Sequence, residues 1–207
     1  MNIEGALLRR IRLPERRADE GLLAASIGSL VRDYSLAGKI GLEPETLDIV
    51  QELYGRVVSS FGRLGVLEGK RILDLGCGSR TSKAPPGVTR REPASADAYT
   101  SLFEPWLCRI LLSLGAKPVG VDLGDLSGES FEHYGADLGL AGALDFLPER
   151  SFDAVHDSRL FGSPEFKARF PGRADALRIA REIVAQETRV LREGGIVMHS
   201  DAHELAS

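Results

Sequence analysis

From residue 70 onward, short apolar runs alternate with amphipathic stretches, and few folds accommodate that rhythm. The runs are "RILDL" at 71–75, "KPVGVDL" at 117–123, "EHYGADL" at 132–138 and "SFDAVHDS" at 151–158. Between the first two, "LFEPWLCRILLSLGA" carries helical spacing. A long helix is expected from about Ala174 to Arg192, with Leu177, Ala180, Ile183, Val184, Glu187, Val190 and Leu191 near its seam. Gly194-Gly195 is expected to end it with a left-handed cap, before a last strand at "IVMHS". Strand, helix, strand in this order predicts βαβ units, hence an α/β fold with a mainly parallel sheet and right-handed crossovers.

The first 65 residues read differently. One helix is expected from about Glu15 to Leu36, and a second from "LEPET", where Pro44 suits a first helical position. Leu47, Val50, Tyr54, Val57, Val58 and Phe61 then recur as one apolar stripe. The expected organisation is a helical segment over 1–65 and an α/β domain over 66–207. The helical segment acts either as a lid or as packing for the sheet or a second chain. A Pro-rich stretch, "RTSKAPPGVTRREPASADAYTS", reads as a loop inserted over about 80–101. The short "GDLSGESF" leaves no room for a helix between the second and third strands.

Composition narrows the function. Of 207 residues, 43% are hydrophobic and 27% charged, the balance of a globular protein with a sizeable core. A formal net charge of −4 with no basic patch argues against nucleic acid. No apolar run approaches the length of a membrane span, and the start carries no secretory pattern. Two cysteines, Cys77 and Cys108, make no disulfide framework, so the expected compartment is the cytoplasm.

The chemistry concentrates in "RILDLGCGSR". An apolar run ends at Asp74, and Gly76-Cys77-Gly78 follows. The glycines make either a tight turn or a cradle, because they let backbone approach a ligand without a Cβ between. In open α/β sheets ligands bind at the carboxyl ends of strands. Asp122 closes the second strand, where a carboxylate can accept both hydroxyl protons of a ribose, with Leu123 as the adjacent wall. The alternative is that Asp122 caps a short helix. A dinucleotide fits poorly: its fingerprint needs a third glycine at Thr81 and an acid about 20 residues on.

These residues resemble a known family. "LDLGCGS" is similar to the first motif of class I S-adenosylmethionine-dependent methyltransferases, and "VGVDL" to their second. "GADL", "LPERSFDAVHDS" and "ETRVLREGGIVM" resemble their third-, fourth- and fifth-strand segments, so the likeness covers about residues 67–200. It implies a Rossmann-like sheet; in a departure from the family, the terminal sixth and seventh strands are not expected here, which would leave an exposed edge. It also implies S-adenosyl-L-methionine as cofactor. Asp74, Gly76 and Gly78, with Cys77 between them, would lie along the methionine half, and Asp122 and Leu123 at the ribose and adenine. Asp137 would accept from the adenine amino group beside Leu138, unless it is instead a helix N-cap before "LGLAGAL". His156 would stand near the methyl group, as a candidate general base.

His156 and His199, with Asp157 and Asp201 beside them, offer an acid–base pair; "HSDAH" at 199–203 otherwise offers His199, Asp201 and His203 as metal ligands or as a solvated tail, and no metal is expected. The family's Asn/Asp-Pro-Pro-aromatic run is replaced by "HDSRLFGSP". The resemblance implies a methyltransferase for a small-molecule acceptor, with no nucleic-acid or membrane partner. A homo-oligomer through the sheet edge or the N-terminal helices would be possible. The alternative is a non-catalytic binding or regulatory module that keeps the fold and needs a partner.

Overall fold

The computed structural model describes residues 3–10, 16–80, 100–158 and 160–207. Four helices come first: α1 (Ile3–Arg10), α2 (Arg16–Tyr34), α3 (Leu36–Leu42) and α4 (Glu45–Phe61). The alternating part follows as β1 (Arg71–Leu75), α5 (Trp106–Ser113), β2 (Lys117–Asp122), β3 (Glu132–Gly135), β4 (Phe152–Asp157), α6 (Pro164–Arg169), α7 (Arg173–Val190), β5 (Leu191–Ser200) and α8 (Asp201–Ala206). The five strands form one sheet in the order β3-β2-β1-β4-β5, every pair parallel. This is the expected Rossmann-like α/β sheet, and the described residues contain no further strands.

The two faces bury different sets of side chains, as the two-residue period of a strand requires. Ile72, Ala154 and Met198 face α2, α4 and α5 in one core with Leu23, Ile27, Val50, Tyr54 and Trp106. Leu73, Leu75, Val119, Val121 and Val155 face the opposite way, against Ile179, Ile183 and Val190 of α7 and Ala202 of α8. The apolar stripe of α4 is therefore buried within the chain, its Val50, Tyr54 and Val57 fully enclosed. Ser60 Oγ of the same helix donates to the Met198 carbonyl at 3.3 Å. At the other side of the sheet, β5 is an edge strand with Val197 41% exposed.

Two local expectations are corrected. Gly194-Gly195 does not cap α7. The helix stops at Val190, and its last carbonyls are taken by the chain entering β4: Arg150 N–H donates to Arg189 O at 3.0 Å and Ser151 N–H to Val190 O at 2.8 Å. Gly194, at φ 73°, instead serves a wide bulge, since Phe152 opposes Leu191 while Ala154 opposes Ile196. Nor is "DAHELA" a solvated tail. It forms α8, because Ser200 Oγ accepts from His203 N–H at 3.1 Å and caps the helix.

Sheet order sets where a ligand can go. The chain steps outward from β1 to β2 and β3, then crosses back to place β4 on the other side of β1. Such a reversal opens a crevice at the carboxyl ends of the strands beside it. The glycine loop after β1 and the residues after β4 stand at that point.

Candidate functional site

The loop after β1 is held by its own backbone. Gly76 and Cys77 N–H both donate to Val121 O, at 2.8 and 3.2 Å. Ser79 N–H donates to Phe103 O at 3.0 Å and Arg80 N–H to Asp125 O at 3.3 Å. Gly78 N–H donates to Asp122 Oδ2 at 2.9 Å. The two glycines have positive φ, 65° at Gly76 and 88° at Gly78. They differ in surroundings: a Cβ at Gly78 would run into the Phe103 carbonyl, whereas at Gly76 the nearest atom would be Leu160 Cβ at 3.7 Å. Gly78 is thus required by close packing of the chain on itself, and Gly76 by the turn.

Asp122, at the carboxyl end of β2, is half-buried and oriented by two amides. Its Oδ2 takes Gly78 N–H, and its Oδ1 takes Gly124 N–H at 2.7 Å. The chain from 123 to 131 forms no helix, so Asp122 joins the loop after β1 to the turn after β2 and is not a helix cap. Leu123 beside it is 61% exposed.

Asp74 and His156 are opposite each other on β1 and β4 and are buried. Asp74 Oδ1 accepts from His156 Nδ1 at 2.7 Å, and Asp74 Oδ2 faces Cys108 Sγ of α5 at 3.5 Å. A residue outside the sequence-based candidates completes the group: Arg56 of α4 donates through Nη1 to His156 Nε2 and to Ser158 Oγ, both at 2.9 Å. A carboxylate only accepts and a guanidinium only donates, so the ring is fixed as the neutral Nδ1–H tautomer. Arg56 is oriented in turn by Glu52, one helical turn earlier, at 2.6 Å. His199, opposite His156 on β5, has its ring centroid 5.8 Å away, and its Nε2 lies 2.9 Å from Asp201 Oδ1.

Cys77 and Cys108 are free and buried. Burial raises the Cys77 thiol to about 11 and the Cys108 thiol well above its ordinary range, so neither is a thiolate near neutral pH.

Asp137, after β3, caps a turn, since residues 138–147 form turns and no helix; its Oδ1 accepts from Gly139 N–H at 3.0 Å. Its Oδ2 pairs with Arg169 of α6 at 2.5 Å. The neighbouring Leu138 is buried in the second core. The "HSDAH" residues do not gather: His199 turns to Asp201, while Nε2 of His203 lies 3.2 Å from Glu187 Oε2. Among the described residues there is no group of three or more His, Cys, Asp or Glu side chains able to hold a metal ion. The loop expected at 80–101 lies largely outside the described residues, which resume at Thr100.

On the second face, the residue after His156 builds another buried group. Asp157 and Glu187 are both fully buried, with Ser200 Oγ donating to Glu187 Oε2 at 3.3 Å. Ala202 N–H donates to Asp157 at 3.3 Å. Burial first, and then the charge of Asp157, push the Glu187 carboxyl up to about 9; burial raises Asp157 as well. The pair therefore shares a proton at neutral pH.

No model of a known protein family matches the chain, and no curated protein matches it. No helix among the described residues is long and apolar enough to cross a membrane.

Proposed function

We propose that the chain is a methyltransferase that binds S-adenosyl-L-methionine at the tips of β1 and β2 and transfers its methyl group to a small-molecule acceptor. One juxtaposition carries the reading: the Gly76–Gly78 loop and the Asp122 carboxylate are hydrogen-bonded together beside the reversal in strand order. The residues present fit the sugar end of such a ligand. Asp122 is pre-oriented by two amides, so a diol would meet a carboxylate that loses little freedom on binding. Leu123 offers exposed apolar surface next to it. The fit at the amino-acid end differs from the resemblance. The amides of residues 76–80 are engaged by the protein, and Asp74 is turned to His156 and Cys108. Those groups shape the crevice and hold its floor.

When bound, the cofactor supplies a methyl carbon already activated by a cationic sulfur. The protein's task is then alignment and exclusion of water. His156 can take a proton from an acceptor only after Arg56 has left Nε2. Until then it positions Asp74. This arrangement also favours a second reading, a module that binds the nucleoside without transferring its methyl group.

Calorimetry with S-adenosylmethionine and S-adenosylhomocysteine tests the cofactor. Asp122→Ala should weaken binding by about 1.5–3 kcal/mol, the scale of hydrogen bonds to a charged group. Unchanged affinity in a folded variant removes the ribose assignment. Binding without turnover across a broad acceptor panel selects the module.

A further inference from the structure

The chain leaving β4 reaches over the tips of the strands on the far side of β1. Leu160 lies against Gly76 at the tip of β1: a Cβ there would be 3.7 Å from Leu160 Cβ and 3.9 Å from Leu160 Cδ1. Nine residues on, Arg169 Nη1 pairs with Asp137 Oδ2 at 2.5 Å, in the segment that follows β3. Phe170 covers Gly139 so closely that its ring excludes a Cβ. Sheet order is β3-β2-β1, so these contacts lie on either side of β2, the strand that ends in Asp122.

Between its two ends the segment has a framework of its own. Phe161 and Phe166 meet edge to face at 4.9 Å, and Phe166 and Phe170 pack at 5.1 Å. Ser163 caps α6 by accepting Phe166 N–H at 3.1 Å. Residues 160–170 can therefore move as one body. The contacts holding them down are unequal. The phenylalanines join the second core, whereas the Arg169–Asp137 pair is partly solvated, with side-chain exposures of 42% and 19%. Partly solvated ion pairs are weak and salt-sensitive, which suits a latch that must be released.

We infer that residues 160–170 form a strap closed over the crevice, with Arg169–Asp137 as its latch, and that a nucleoside competes with the latch for Asp137 and with Leu160 for the space beside Gly76. This deepens the cofactor assignment above and rests on it. Release of the strap is then part of the binding equilibrium, and the measured affinity is reduced by the fraction of molecules that are closed.

The test uses the full chain and leaves Asp137 and Asp122 intact. Arg169→Ala removes the latch, and Arg169→Glu sets like charges against each other. Hydrogen exchange is followed at the amides of 160–170 in the free protein, and S-adenosylmethionine binding by calorimetry. Both variants should exchange faster over the strap and bind about three- to fivefold tighter, the scale of a partly exposed ion pair. Unchanged exchange in both variants overturns the latch. Faster exchange with wild-type affinity overturns the competition; in either case binding by the wild type leaves the cofactor reading standing. Absence of binding by all three proteins at millimolar ligand defeats the cofactor reading itself, and the competition with it.

Discussion

His156 and Asp157 are consecutive in β4, and the pleat of the strand sends them into two buried polar groups of opposite character. On the crevice side, every charge meets an opposite charge or a matching hydrogen-bond partner: Glu52, Arg56, His156 and Asp74 follow one another as acceptor, donor, ring and acceptor. On the other side, Asp157 meets a second acid, Glu187, with no lysine or arginine paired to either among the described residues. The first group is satisfied by complementary side chains drawn from three separate elements. The second has only Ser200 Oγ, the Ala202 N–H and the neighbouring His203 beside its two acids, and it keeps a proton. One strand thus carries a fixed chain of partners on one face and a titratable pair on the other, and solution pH should act on the second.

The largest effect expected from breaking this contrast is at Asp74. Asp74→Ala strands the His156 Nδ1–H in a buried site, and stability should fall by about 3 kcal/mol in urea denaturation near neutral pH. A loss under about 1 kcal/mol would mean the group contributes little beyond its shape. The next effect is on pH dependence. Glu187 rises from an ordinary 4.5 to about 9 on folding, so the folded state holds a proton that the unfolded chain has released. Its contribution is complete below about pH 4.5 and is lost progressively as pH rises towards about 9. Stability should therefore decline through this window, with a limiting slope of about 1.4 kcal/mol per pH unit for one proton. Glu187→Gln cannot ionise and should flatten the curve; a wild-type curve already flat to pH 9 would refute the shared proton.

A smaller effect is expected at Arg56. Arg56→Ala removes the donor from His156 Nε2 and should cost about 1–2 kcal/mol. Nitrogen chemical shifts of the ring should show the Nδ1–H tautomer in the wild type, and in the variant the Nε2 resonance should lose the shift of a hydrogen-bonded acceptor while Asp74 still holds Nδ1–H. The smallest belongs to His203, whose side chain is 42% exposed beside Glu187. His203→Ala should change stability by no more than about 0.5 kcal/mol and leave the alkaline decline in place. A decline abolished by this substitution would move the titrating group from the acid pair to the histidine.

What the sequence made legible was local. The stripe on α4, the runs of β1, β2 and β4 and the seam of α7 all express one period each, and each element formed within two residues or so of its expected limits. The glycine loop and Asp122 were visible for the same reason, because strand ends follow from the strands. The partners across the fold were not. Arg56 lies 100 residues from His156, on the flank of a helix whose pattern reports only its apolar face. Arg169 and Asp137 likewise meet through chain reversal. Glu187 did leave a sign, a carboxylate on the apolar seam of α7, but its partner Asp157 sits on another element. The bulge at Gly194 depended on which groups met the last helical carbonyls, and that is a property of the assembled sheet.

The tie between Ser79 and Phe103 has a consequence for how this chain can change. The backbone departs at Arg80 and is caught again at Thr100, where Glu43 accepts from Thr100 Oγ1 at 2.9 Å and from Ser101 N–H at 2.6 Å. Arg109 then anchors the segment from behind, buried between Glu104 and Glu129 and stacked on Tyr34 and Trp106. With Arg80 and Thr100 each anchored to the described body of the chain, halving the length of the connection between them would alter its closure entropy by only about 0.6 kcal/mol. A shortened connection between these two anchors is therefore expected to leave the register of the strands unchanged.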